Sequence, residues 1–370
     1  MIINTLFRLV RVMQFKIEKR IQAPATIKIT VLLLSLAAGF CFASVIFLVK
    51  GVHPVYALSK ILSGSFGSLY GLKETVTKSI PLMLTGVGLT VAYRGKFWNI
   101  GAEGQLLFGA IAATWIALKC GANMPSYAVI PLMFGSGFIG GALWGIIPAI
   151  MKTKLRINEV ITTLMFNYIA AEFVQFLVYG PWKGKSQWGF PYTDNFPPAA
   201  TLSLIPSTRI HYITLIIALA VIAIAYFIIM KTNFGYEIRV IGDNPDAGKY
   251  AGISFTRTTV VIMILSGGFA GLAGVGEVAG VHHHLTYPWT ISSGYGFTSI
   301  IVAWLAKLNP VYVIVSSFFL GGILIGGDTI QTSFGLPYAT VNIFNGLILL
   351  FLIMGDFFLE YRIRLAGRRL

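Results

Sequence analysis

Ten apolar runs divide the chain, at about 29–49, 75–93, 101–118, 127–150, 159–179, 211–230, 258–280, 297–308, 310–327 and 338–355. Within each run the apolar residues are continuous rather than alternating, which excludes the barrel pattern. Once water is excluded, every backbone N–H and C=O must be satisfied inside its own segment, and helix achieves this. A span needs about 20 residues at 1.5 Å rise per residue. The run 297–308 is too short to cross alone, so it is a half-helix or borrows residues from the preceding SSGYGFTS. The expected fold is therefore an all-α polytopic membrane protein of about ten transmembrane helices. It forms one domain over 1–370, with the helical bundle at 29–355. Composition agrees: 56% hydrophobic and 11% charged residues, with a mean hydropathy of +0.78, exceed what a soluble domain can hide.

The formal charge of +15 comes without any basic stripe interleaved with aromatics, so nucleic acid is not the expected partner. Topology explains the charge better. With a cytoplasmic N-terminus and ten crossings, only Lys50, Lys60, Lys73, Lys78, Lys119, Lys183, Lys185 and Arg209 fall outside. The other 20 of the 28 Lys and Arg residues fall inside, as the positive-inside rule requires. An odd span count would move Arg362, Arg364, Arg368 and Arg369 outside. Both termini, the basic segment 1–28 and the basic tail 356–370, are thus expected in the cytoplasm. The first apolar run is too long for a signal-peptide core and lacks a clear small-residue cleavage site, so it reads as a retained helix. Cys41 and Cys120 suggest no structural disulfide.

Two loops exceed turns. The outer one, about 180–210, is rich in Trp, Tyr and Pro, as suits a surface at the membrane interface. The inner one, 231–257, contains GYEIRVIGDN, read as a turn, and PDAGKYAG, read as a short helix with Pro245 in its first turn and Gly252 near its end. A short cytoplasmic helix of this kind wants a partner. The second to fifth and the seventh to tenth spans also form two four-helix sets of opposite direction, the pattern of inverted repeats. Their corresponding junctions, WNIGAEGQ and WTISSGYGFTS, both carry Gly and small polar residues.

An ionisable group inside a bilayer costs about 2.5 kcal/mol or more, so each retained one needs a partner, a wet cavity or the interface. Glu103, Glu159, Glu172, Glu277 and Asp328 are the acidic residues so placed. Asn99 precedes Glu103 by four residues, which on a helix puts both on one face, with Gln105 beside them. The surrounding glycines leave room for a broken helix whose polar groups face protein or water. The competing reading is that Glu103 caps its own helix. Glu159, Thr163 and Asn167 follow at i, i+4 and i+8, a stripe that lines a path or bonds between helices. Glu277, Asn342 and Asn345 admit the same two readings.

Other signals carry less. GSGFIG at residues 135–140 matches a dinucleotide pattern but lies within an apolar span, so helix packing explains it, as it does the pairs Gly137/Gly141, Gly267/Gly271, Gly276/Gly280 and Gly322/Gly326. His282, His283 and His284 are adjacent and do not face one ion together, so no metal site is expected there and an exposed outer turn is. No G-x-x-x-x-G-K-[ST] loop occurs, so this chain alone is not expected to hydrolyse ATP. No nucleophile and base pair stands out, and no catalytic residue is expected.

FWNIGAEGQLLFGA, RINEVITTLMFNYIA, GYEIRVIGDNPDAGKYAGIS, GGFAGLAGVGEVAG and GFTSIIVAWLAKLNP resemble permease subunits of bacterial binding-protein-dependent ABC importers, over about residues 30–355. Within that group they look most like the permeases of nucleoside and simple-sugar systems. The resemblance implies a multi-pass subunit of the bacterial cytoplasmic (inner) membrane. It implies pairing with a second permease as a heterodimer, with two cytoplasmic ATPases and with an external substrate-binding lipoprotein. No cofactor is expected on this chain, since ATP and Mg are used by the ATPases. The implied solute is small and polar, foremost a nucleoside, with a simple sugar or riboflavin as alternatives. The inner loop becomes the coupling segment, with Gly235, Glu237, Arg239, Gly242, Asn244, Ala247, Ala251 and Gly252 at its motif positions. Lys249 and Tyr250 depart from a segment that is often alanine-rich. The rival from another class is an ion-coupled secondary transporter, which also tolerates inverted repeats and embedded carboxylates.

Overall fold

The computed structural model describes residues 13–19 and 24–367. Arg8, Arg11, Arg20, Arg368 and Arg369, which enter the charge argument, lie outside the described residues. The helices are α1 (Ala25–Val49), α2 (Pro54–Ser65), α3 (Leu69–Arg94), α4 (Ala102–Cys120), α5 (Ser126–Leu155), α6 (Glu159–Tyr179) and α7 (Tyr212–Lys231). They continue with α8 (Asn233–Asp243), α9 (Pro245–Tyr250), α10 (Phe255–Gly276), α11 (Pro288–Ser292), α12 (Tyr295–Leu305), α13 (Tyr312–Phe334) and α14 (Tyr338–Glu360). A π-helical turn, Glu277–His282, extends α10.

Among the described residues eight helices are long and apolar enough to cross a membrane: α1, α3, α5, α6, α7, α10 with its π turn, α13 and α14. The other two expected spans are those with polar glycine junctions. The first is α4, of 19 residues. The second is the broken pair α11 and α12, in which α12 has 11 residues. At 1.5 Å per residue α12 reaches about 16 Å, half a hydrocarbon core, so the short eighth span is a half-helix.

The chain divides into two compact units. The terminal unit comprises the chain up to Lys60 together with Ile330 onward, and the central unit is Ile61–Thr329. In the terminal unit α1 packs on α14, with Gly39 against Ile348 and Phe351, and with ring contacts Phe42–Phe351 at 4.9 Å and Phe47–Phe344 at 5.8 Å. The unit also holds one short two-stranded sheet beside its helices. Strands β1 (Met13–Lys19) and β2 (Tyr361–Gly367) pair antiparallel, in register from Met13 with Gly367 to Lys19 with Tyr361. That pairing brings the start of α1 and the end of α14 to the same end of the terminal unit.

In the central unit 89% of the apolar window of α3 and 78% of that of α10 are buried, against 33% for α5 and α7, so α3 and α10 form its centre. Helix α3 can be both buried and rich in hydroxyls because these bond back along the helix. Ser79 donates to Thr75 O (2.5 Å), Thr85 to Pro81 O (2.7 Å) and Thr90 to Gly86 O (2.9 Å). Helices α4, α5 and α10 meet through glycine. Cβ atoms added at Gly109, Gly141 or Gly271 would overlap the backbone of the facing helix, at Gly271, Gly267 and Gly137 respectively. The expected packing role of Gly137, Gly141, Gly267 and Gly271 is therefore met. Gly276 and Gly280 pack on Thr214 and His211, and Gly322 and Gly326 pack on Phe66 and Ile61.

Two loop readings need correction. GYEIRVIGDN is not a turn: it lies in α8, because Thr232 caps the helix by accepting from the Gly235 N–H (3.2 Å) and Ile238 and Ile241 give it a buried face. The His282–His284 turn is half-buried rather than exposed. The loop before α7 lies over it, with the Phe196 N–H donating to His283 O (2.8 Å) and the Thr193 N–H to Leu285 O (3.0 Å). In the same loop Asp194 accepts from the Ser186 hydroxyl (2.6 Å) and N–H (3.1 Å), bonds that hold its carboxyl below the usual range.

Candidate functional site: two helix breaks and a polar cavity

Helix α3 ends at Arg94, and Lys96 takes a left-handed conformation (φ 49°) that turns the chain before α4. The break is held by amides. Asn99 and Gln105 pair side chain to side chain (3.0 and 3.2 Å), while Asn99 Nδ2 also donates to Ser266 Oγ (3.0 Å) and Asn99 Oδ1 accepts the Gly101 N–H (2.8 Å). The Tyr93 hydroxyl donates to Asn99 O at 3.1 Å. From α6, Thr163 Oγ1 accepts the Ile100 N–H (3.1 Å), and Asn167 both accepts the Gly104 N–H (2.8 Å) and donates to Ile100 O (2.9 Å). Asn99, Gln105, Thr163 and Asn167 are at most 1% exposed. These four are thus brought to one place, Asn99 and Gln105 bonded to each other and Asn99, Thr163 and Asn167 to the backbone that the break leaves open. Asn99 and Glu103 do not share a helical face, because α4 begins at Ala102 and Asn99 lies in the turn.

Glu103 points the other way. It is fully buried, and its Oε2 accepts the Gly296 N–H at 2.7 Å. The N–H groups of Gly294 and Phe297 and the Ser292 hydroxyl lie near the same carboxylate, whose Oε1 makes no hydrogen bond among the described residues. This is the N-terminus of α12, reached through a left-handed turn at Ser293 (φ 44°) and Gly294 (φ 73°). The carboxylate therefore caps a different helix, where the dipole favours it. A Cβ at Gly296 would stand 2.6 Å from Glu103 Cα, so only glycine permits the approach. The junctions WNIGAEGQ and WTISSGYGFTS meet at this contact.

Glu159 lies apart from that contact, at the start of α6. Lys152 binds it at 2.5 Å, the two side chains being 20% and 14% exposed, and the same ammonium sits 4.7 Å over the Phe97 ring. Glu172 is exposed and accepts from Gln175 (3.0 Å). Asn342 and Asn345 belong to the terminal unit, Asn342 exposed and Asn345 half-buried.

Glu277 lies in a cavity of about 230 Å³ lined by Glu74, Thr77, Lys78, Arg209, Glu277, Val281, His282, Thr290, Ser293 and Tyr295. One ion pair lies in its lining, with further polar contacts beside it. Arg209 reaches Glu74 at 3.4 Å, His282 Nε2 stands 4.0 Å from Glu277, and the Lys78 ammonium lies 5.5 Å over the Tyr295 ring. Sequence reading finds Glu277 here but misses Glu74, Lys78, Arg209 and Tyr295. The signal that was available is the i, i+4 pair Glu74 and Lys78 at the start of a span, with Thr77 between them.

At the other loop, α8 and α9 are mounted firmly. Arg239 donates to Ile229 O (2.6 Å), Glu237 accepts from the Thr258 hydroxyl (3.3 Å), and Asn244 caps α9 through the N–H groups of Asp246 and Ala247 (3.0 and 3.1 Å). Gly235 and Gly242 are buried where a Cβ would strike the carbonyls of Ile228 and Arg94. Gly252 has φ 77°, which ends α9. Ala247, Lys249, Tyr250 and Ala251 are exposed, Tyr250 at 94%.

Residues 71–353 match the family model described as branched-chain amino acid transport system / permease component. The chain is 32% identical to the glucose ABC transporter permease protein TsgB13 of Haloferax volcanii, over 96% of this chain and 95% of that one. It is 33% identical to the guanosine ABC transporter permease protein NupP of Bacillus subtilis (86% and 91% covered). It is 31% identical to the nucleoside ABC transporter permease protein NupB of Lactococcus lactis (88% and 91%). A second guanosine permease of the same Bacillus strain, NupQ, matches at 27% identity over 67% of this chain and 78% of its own length.

Proposed function

This chain belongs to the family of branched-chain amino acid transport system permease components, and from that premise we propose that it imports a nucleoside across the cytoplasmic membrane as one half of a permease heterodimer. It is a multi-span permease subunit of an ABC transporter, a transport component rather than an enzyme. Family membership implies a partner permease and an ATPase, and the guanosine pair NupP and NupQ supports two unlike permeases. ATP and Mg act on the ATPase subunits, and an external lipoprotein delivers the solute. Nucleoside is favoured because two of the similar relatives are named for guanosine and nucleoside. A simple sugar is the second reading, because TsgB13, named for glucose, matches over 96% of this chain. Both solutes share a polyhydroxylated ring.

The observation that carries the reading is the rigid mount of α8 and α9 with its exposed ridge. A loop that only connected spans would not need a half-buried Arg bond, two glycine contacts and a capped second helix. In proteoliposomes holding the assembled transporter, labelled guanosine uptake is expected to require ATP and the ATPase subunits. Arg239→Glu places a carboxylate against Ile229 O, and Gly242→Pro drives a ring against the Arg94 carbonyl. Both are expected to cut uptake at least tenfold and to reduce ATPase association while the permease stays in the membrane. Normal uptake by both variants would make the segment a mere connector, and ATP-independent uptake would favour a secondary transporter.

The orientation is a separate expectation, resting on the charge split and on the β1–β2 pairing that brings the start of α1 and the end of α14 to one end of the terminal unit. Reporter fusions after Arg257 and Arg369 are expected to report the cytoplasm, and one at Gly184 the outside. An outside signal after Arg369 would refute an even span count.

A further inference from the structure

We propose that the cavity between α3, the π turn and the α11–α12 break is a binding subsite for the sugar ring of the transported solute, built within one permease subunit. The proposal rests on the solute reading above and deepens it. Three features of the cavity point to this chemistry.

The first is charge. The lining holds two carboxylates, Glu74 and Glu277, and two cations, Lys78 and Arg209, with His282 beside Glu277. Asp328, outside the lining, also interacts with Lys78. With the cations already occupied, an anionic ligand would have to displace a carboxylate, and a cationic ligand would have to displace Lys78 or Arg209. A neutral ligand displaces neither. The second is the mixture of donors and acceptors. Carboxylates accept from hydroxyls, Lys78 and Arg209 donate to them, and the hydroxyls of Thr77, Thr290 and Ser293 do both. A ring carrying several hydroxyls satisfies such a wall, while the Tyr295 ring and Val281 offer apolar surface to its C–H face. The third is size. At about 230 Å³ the cavity lies below the ~300 Å³ at which pockets for drug-sized ligands begin, so it suits one ring rather than a larger molecule.

The location fits a path. Glu277 and His282 sit on the π turn that ends α10, and Ser293 and Tyr295 flank the turn whose helix Glu103 caps. A ligand in the cavity therefore touches both the end of α10 and the α11–α12 break.

The test compares guanosine with 2′,3′-dideoxyguanosine, which lacks both ring hydroxyls, in ATP-driven uptake by the complete transporter with its binding protein. The binding protein is the same in every arm, so a change in the uptake ratio between wild type and variant comes from the permease. Glu277→Gln and, as a milder change, Thr77→Val are expected to lower guanosine uptake about tenfold, or ~1.4 kcal/mol, while dideoxyguanosine uptake stays within about twofold. Discrimination between the two should collapse. A proportional loss of both solutes would mean that the residues only support the fold, and an unchanged ratio with normal uptake would mean that the ring does not bind there. Either result overturns the subsite. Should Glu277→Gln fail to assemble, the Thr77→Val ratio decides alone. Wild-type transporter that moves neither guanosine nor glucose on ATP would overturn the solute reading itself, a result distinct from the other two.

Discussion

Gly271→Leu is expected to abolish the folded permease, whereas Gly135→Leu, on a nearby turn of the glycine-rich stretch of α5, is expected to change nothing. A Cβ at Gly271 would enter the Gly137 carbonyl and stand 3.2 Å from Gly141 Cα, and Gly109 faces the same point from α4. The obstacle is backbone on both sides, and backbone cannot rotate away as a side chain can. Overpacking a core ordinarily costs about 1–3 kcal/mol. Here relief requires separating three helices, so the cost falls on the whole central unit. Gly135 has no atom within 4 Å of its missing Cβ and offers the matched control. Gly271→Ala should fall between the two. Fluorescence-detected gel filtration after heating reads all three, and a monodisperse Gly271→Leu peak with wild-type thermal stability would sink the argument.

The glycines illustrate what was legible in the sequence. Small residues spaced by four inside apolar runs imply close helix packing, and Gly137, Gly141, Gly267 and Gly271 do pack so. Which helix each one meets is not written in the spacing, because the partner is set by tertiary arrangement. Spans were legible for the same reason: hydropathy is a one-dimensional signal that lipid enforces. The stretch 235–244 reads as a turn in the sequence because Gly235 and Gly242 suggest breaks, yet the helix runs Asn233–Asp243. In the folded chain they are contact points against the carbonyls of Ile228 and Arg94.

The candidate site was half legible. Buried Asn, Gln and Glu stand out in an apolar run, so Asn99, Glu103, Gln105, Thr163 and Asn167 could be named from the sequence. What each one bonds could not. Periodicity assumed helix through Asn99, whereas the left-handed Lys96 and the turn at 97–101 set Asn99 and Glu103 to different tasks. Four of the five hold a break in one helix, and the fifth caps another helix 193 residues away. Lys78 and Arg209 were absorbed into the charge count because their partners come from other segments. A cavity assembled from α3, the loop before α7, the π turn and α11–α12 leaves no local spacing to find.

Glu103→Ala is expected to eliminate most ATP-driven uptake without loss of the assembled transporter. The carboxylate bonds the Gly296 N–H at 2.7 Å with no competing water, since it is fully buried, and it stands at the positive end of α12. Leaving the buried Gly296 N–H without its acceptor costs about 1–3 kcal/mol, so the Ala variant loosens the start of α12 by that order while the glycine contacts of α4 still hold the fold. Tyr295, one residue from Gly296, lines the polar cavity, so a loosened start moves the cavity wall. Glu103→Gln keeps the size and one acceptor and should retain part of the uptake. Had Glu103 only capped its own helix, Ala would cost about 1 kcal/mol locally and uptake would be nearly normal. Measuring uptake and ATP hydrolysis on the same preparation, at matched amounts of complex, separates the cases. Hydrolysis that persists while uptake falls more than tenfold is the expected result. Near-wild-type uptake by Glu103→Ala would remove the residue from the transport machinery, and failure of the complex to assemble would make the contact structural. The path would then have to be sought from the cavity residues alone.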